Sequence, residues 1–163
     1  MPGPNRPDMP VIENVWDYPR PPRLEPVPLP LRIDFNGTTI AATTEGFRVL
    51  ETSHPPVYYL PRTAFSCGIE PRSGGSFCEW KGRASYWSLR QGDRIAVDAA
   101  WSYPTPTQGF LPIRDYLAVY AGRVDACFVG DEQVTPQPGG FYGGWVTANL
   151  IGPFKGSPGT MGW

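Results

Sequence analysis

The stretch from Phe77 to Pro104, FCEWKGRASYWSLRQGDRIAVDAAWSYP, constrains the fold of this chain more than any other. Between Arg94 and Tyr103 the residues Ile95, Val97, Ala99, Trp101 and Tyr103 recur with a period of two. A period of two is the side-chain repeat of an extended strand. Trp80 to Leu89 is dense in aromatic and small residues and reads as its partner strand, with Gly92-Asp93 supplying the turn. Two registers are open. A three-residue loop between Arg90 and Arg94 places Trp87 opposite Val97, on the face of Trp101; a two-residue loop between Gln91 and Arg94 turns Trp87 the other way. Rings on such a hairpin form either a core or the wall of a pocket.

The remaining pattern is that of an all-β chain with minor helical turns. Leu31, Ile33 and Phe35 alternate with Arg32 and Asp34, and Asn36-Gly37 is a strong hairpin signal leading into a return strand, Thr38 to Thr43. Phe47 to Thr52 and Val57 to Leu60 read as further strands, with Tyr58 and Tyr59 on opposite faces. Single helical turns are expected at 63–66 and 112–116, a loop at 73–76, and a last hairpin of 117–121 with 124–129 around Gly122-Arg123.

Composition changes at both ends. Residues 1–30 hold ten of the 21 prolines, a stretch that favours extended polyproline geometry. Val11, Ile12, Val15, Trp16 and Tyr18 would be costly to leave in water, so this arm is expected to dock in part on a core domain spanning 31–129. Residues 130–163 carry nine glycines with interspersed aromatics and read as an irregular coat packed on that core.

A net charge of -1 gives no electrostatic case for nucleic acid or an anionic membrane. Aromatic content of 13% argues against disorder. No apolar run suits a membrane span and no apolar leader opens the chain, which places the protein in the cytoplasm. Three cysteines without a Cys-x-x-Cys pair, and one histidine, argue for no zinc or other metal site and no cofactor. Cys78 beside Lys81 would be an activated thiolate only if a bulge brought both to one face.

Among chemistry-bearing residues, Glu51 and His54 stand three apart. His54, with an ordinary pKa near neutrality, is the natural general base, and Glu51, at the end of an apolar strand, needs a partner such as Arg62 or Lys81. Glu51, His54 and Lys81 are the catalytic candidates. Tyr59, Arg62, Trp80, Trp87, Trp101 and Tyr103 are the ligand-binding candidates, between the 80–103 hairpin and the 51–62 segment. The partner expected is an unidentified small molecule. The competing reading is an interaction module, in which the proline arm and Gly-aromatic tail bind a protein or a second copy as a homodimer.

The segments ETSHPPVYYLPR (51–62), CEWKGRASYWSL (78–89) and AAWSYP (99–104) resemble the bacterial domain-of-unknown-function family numbered 427, over residues 31 to about 129. The flanking VWDYPRPPRLE and GGWVTANLIGPFKGSPGT look like those of a longer subgroup. The resemblance implies a β-tent, Mss4-like arrangement of antiparallel sheets without the Cys-x-x-Cys zinc ligands of its relatives. It also implies an aromatic cage of Trp80, Trp87, Trp101 and Tyr103, similar in order and spacing to cages of that fold, and carries a nucleotidyltransferase label. That chemistry uses a Gly-Ser turn followed by paired carboxylates, whereas Gly75-Ser76 is followed by Glu79 alone.

Overall fold

The computed structural model describes residues 11–78 and 81–163, with backbone alone for 73–78. Trp80 and Glu79 lie outside the described residues. The fold is all-β, with helical structure among the described residues confined to short 3₁₀ turns. Three sheets carry it. One has the order Ala118–Val119, Arg94–Ser102, Gly82–Gln91, Gly68–Cys78. A second runs Glu132–Gln133, Ala126–Val129, Leu31–Phe35, Thr38–Thr43, and a third runs Arg23–Pro26, Phe47–Leu50, Val57–Tyr59.

The Asn36-Gly37 hairpin forms as its turn residues dictate, with φ of 54° and 76° at the two central positions. Three other readings are corrected. The loop expected at 73–76 is part of the Gly68–Cys78 strand, which pairs antiparallel with Gly82–Gln91. Glycine and serine have low strand propensity, and the ladder to a neighbour overrides it. The 117–129 hairpin does not form. Ala118–Val119 pairs with Trp101 and Ala100, while Ala126–Val129 pairs with Leu31–Asp34. The Ala121–Arg123 3₁₀ turn hands the chain from one sheet to the other. The helical turn expected at 112–116 lies earlier, at Gln108–Ile113.

The central hairpin takes the two-residue loop, with Gln91 opposite Arg94. A bulge between Trp87 and Leu89 then shifts the register, so that Leu89 faces Ala96 but Trp87 faces Ala100. Asp98 sits in the bulge at φ 51°, its N–H donated to Ser88 Oγ. The shift is by two residues, and an even shift preserves the faces. Trp87 therefore shares a face with Leu89 and Ala100, and Tyr86 with Trp101.

The two faces feed different cores. Trp87 packs against a cluster containing Leu31, Ile33, Ile40, Tyr58, Leu89, Ala100 and Trp145. Trp101 joins Tyr59, Tyr103, Phe110, Ile113 and Tyr120. Tyr58 and Tyr59 divide between them, as alternation in the Val57–Tyr59 strand requires.

The described part of the arm and the tail pack onto this body. Val15 is buried with Leu50, and Glu13–Asn14 forms a parallel bridge with Leu150–Ile151. Trp145 is wholly buried, stacked on Tyr58 at 5.1 Å with its indole N–H donated to Val119 O. No helix among the described residues is long and apolar enough to cross a membrane.

Candidate functional site

The second core contains a row of buried rings that runs across the sheet. Tyr103 lies 6.4 Å from Tyr59, Tyr59 lies 6.5 Å from Trp101, and Trp101 lies 4.6 Å from Tyr120. A cation stands at each end. Lys81 Nζ is 5.8 Å from the Tyr103 ring and 5.9 Å from Phe110, and the Arg123 guanidinium sits 4.1 Å over Tyr120. Lys81 is 8% exposed, and among the described residues no carboxylate pairs with it. Burying an ammonium without a counter-charge is costly.

Beside the row, the 51–55 loop holds Glu51, Ser53 and His54. Ser53 is fully buried in the left-handed region at φ 72°, and its hydroxyl has no hydrogen-bond partner among the described residues. Its backbone is fixed on both sides, N–H to Val15 O and C=O from Lys155 N–H. Non-glycine residues held in this region store strain that surrounding structure must hold.

His54 is almost wholly enclosed, and its tautomer follows from its neighbour. Gln137 Oε1 accepts from the Gly144 N–H, and Gln137 Nε2 donates to Lys155 O, so the amide orientation is fixed. The same Nε2 lies 3.1 Å from His54 Nδ1, which must therefore accept. The ring proton resides on Nε2, 3.8 Å from Glu51 Oε2. Burial pushes the imidazole pKa down to about 4, and the charges of Lys155, Arg20 and Lys81 act in the same direction. At neutral pH His54 is an uncharged donor through Nε2. The general-base role expected of it would need Gln137 to release Nδ1.

Glu51 takes a different partner from those expected. Arg20 of the N-terminal arm approaches Glu51 Oε2 at 3.5 Å. Arg62 instead lies 4.4 Å over the Trp87 ring, and the Trp87 indole N–H is donated to Ser102 Oγ. Because Trp87 and Trp101 occupy opposite faces of one sheet, they do not share a cage, and Arg62 goes with Trp87. Tyr59, Lys81, Trp101 and Tyr103 meet in one row, and Glu51 and His54 adjoin it through Tyr142 and Gly143 of the tail; Trp87 and Arg62 lie across the sheet.

The tail completes the arrangement. Gly143 lies flat on the Trp101 ring, where any Cβ would meet Cη2 at 2.1 Å. Tyr142 packs edge-on to His54 at 4.9 Å, with Lys155 Nζ 5.3 Å over its ring. Tyr120 donates its hydroxyl to Phe141 O. A hollow of about 160 Å³ remains between this strap and the 120–123 turn, lined by Tyr120, Arg123, Pro136, Gln137, Tyr142 and neighbouring glycines.

Gln137, Tyr142, Lys155 and Arg20 are the residues that sequence reasoning missed. No local pattern marks them, because each acts on a residue at least thirty positions away. The clustered glycines around 143 are the only trace, as positions where backbone must approach a ring closely.

A larger hollow of about 320 Å³ opens beneath the arm. Its charges are largely spent on one another. Arg48 donates to both oxygens of Glu13 at 3.1 and 2.9 Å and to Glu25 at 2.7 Å. Cys127 is a buried free thiol, its pKa pushed up by burial, and Cys67 is free and half-buried. Among the described residues no group of three or more His, Cys, Asp or Glu is placed to hold a metal ion.

A family model described as a domain of unknown function (DUF427) matches residues 23–130, more than half of the chain. No curated protein matches the sequence. The matched stretch contains Glu51, His54, Lys81 and the ring row, whereas Gln137, Tyr142 and Lys155 lie beyond it.

Proposed function

The chain belongs to the DUF427 family, and from that premise we propose that it binds a small molecule against the ring row, between Lys81 and His54. The observation that carries this reading is Lys81, a buried ammonium among rings with no carboxylate partner among the described residues. A ligand bearing an acceptor or a negative charge would offset the cost of that burial. The neutral Nε2–H of His54 adds a fixed donor, and the Tyr103 and Phe110 rings flank the ammonium. A binding role is better supported than acid–base catalysis, because Nδ1 of the single histidine is already engaged.

Nucleotidyl transfer is less well supported, since it relies on clustered carboxylates for Mg²⁺. The interaction-module reading is also weaker. Trp145, one of the two tryptophans of the tail, is already buried within its own chain.

The test is a thermal-shift screen of nucleotides, amines, imides, carboxylates and thiol metabolites on the native protein and on Lys81→Met. A ligand at about 100 times its Kd adds about 2.7 kcal/mol, which for a chain of this size raises Tm by roughly 5–11 °C. A shift present in the native protein and lost in folded Lys81→Met supports the site. Binding that Lys81→Met retains in full would remove Lys81 from it.

A further inference from the structure

We infer that the hollow beneath the 140–143 strap is a separate site for a small monocarboxylate, read by Arg123. Of the side chains that line it, Arg123 alone is charged. Its guanidinium is held in place without being neutralised. Nη1 donates to Asp98 O at 2.6 Å, Nη2 donates to Gly140 O at 3.2 Å, and the planar face rests on Tyr120. No carboxylate pairs with Arg123 among the described residues; the Asp98 carboxylate is taken by Arg72 at 2.9 Å. A guanidinium has five N–H donors and these two bonds use two of them, which leaves three to donate to an anion.

The walls select the body of the ligand. Tyr120 and Tyr142 present rings and Pro136 an apolar edge, while the polar atoms of Gln137 are engaged by Gly144, His54 and Lys155. A space of about 160 Å³ suits a short aliphatic or single-ring carboxylate rather than a nucleotide. An apolar wall also disfavours inorganic phosphate, which is strongly hydrated. The site stands apart from the Lys81 end of the ring row, so it does not depend on the function proposed there.

Occupancy has a built-in reporter. Gln137 and Tyr142 both line the hollow and both touch His54, the only histidine in the chain. The probe is sodium benzoate, with benzamide as its uncharged counterpart and inorganic phosphate as the competing anion, titrated into the full chain at constant ionic strength. The His54 ring resonances follow binding. The expected result is a saturable shift with benzoate, at least about tenfold weaker binding of benzamide, and about tenfold weaker binding of benzoate to Arg123→Gln. Arg123→Lys, which keeps the charge but loses the fork, is expected to fall between, and serves should Arg123→Gln fail to fold. Benzoate binding that Lys81→Met loses while both Arg123 variants keep it belongs to the ring row and would overturn the site. No saturable shift, equal binding of benzamide, or unchanged affinity in both Arg123 variants would overturn the site. Phosphate binding more tightly than benzoate would overturn the carboxylate assignment.

Discussion

Replacing Gly143 by alanine tests the closure of the tail over the ring row. An added Cβ would lie 2.1, 2.6 and 3.2 Å from Cη2, Cζ3 and Cζ2 of Trp101, against an ordinary carbon–carbon contact of about 3.5–4.0 Å. Trp101 is 7% exposed and wedged between Tyr59 and Tyr120, so the ring has little room to retreat. Gly143 does not occupy the left-handed region, so the cost is steric rather than conformational. Overpacking of this kind costs about 1–3 kcal/mol, offset by about 0.4–1 kcal/mol from a less flexible unfolded chain. The net loss of up to about 2.5 kcal/mol corresponds to a Tm lower by up to roughly 10 °C. Calorimetric melting of Gly143→Ala measures it, and the Trp101→Leu background supplies the decisive comparison. Relieved of the indole edge, the alanine should cost less than half as much there. An unchanged cost in the two backgrounds, or a Gly143→Ala protein as stable as the native one, would refute the contact.

Acidification should weaken the fold through His54. Its pKa falls from 6.5 in the unfolded chain to about 4 when folded, so the unfolded state binds the extra proton between these values. Stability is full above about pH 6.5 and declines by about 3 kcal/mol as pH falls to 4; urea melts of the native protein and of His54→Asn across that window should diverge by about this amount. Arg48→Met should cost about 2–4 kcal/mol at pH 7, since it leaves Glu13 and Glu25 half-buried without their shared cation. Burial alone would raise the Glu13 pKa, but the bonds from Arg48 and Tyr18 outweigh it and hold it below the ordinary value. The penalty of Arg48→Met should therefore shrink as Glu13 protonates on acidification, and a pH-independent penalty would count against the ion pair.

Local pattern was enough for much of the strand content. The period of two in 94–103, the Asn36-Gly37 turn and the alternation of Leu31, Ile33 and Phe35 act over a few residues, and the strands formed there. Residue type also marked Lys81, His54, Trp101 and Tyr103 as chemistry-bearing. Tertiary structure decided how they are arranged. Whether Trp87 joins Trp101 depended on a loop length and a bulge at Asp98, and an even register shift left the two indoles on opposite faces. The partner of Glu51 came from the arm, 31 positions earlier, and that of His54 from the tail, 83 positions later. Short-range composition cannot encode such pairings, because they exist only once separate sheets have packed. The 73–76 stretch shows the same limit, since glycine and serine there became strand through the ladder to Gly82–Gln91 rather than through their own preference. The sequence by itself determined an all-β chain and the residue types available for a site. Packing between distant segments determined which of them meet, which proton His54 keeps, and where Arg123 is left without a counter-charge among the described residues.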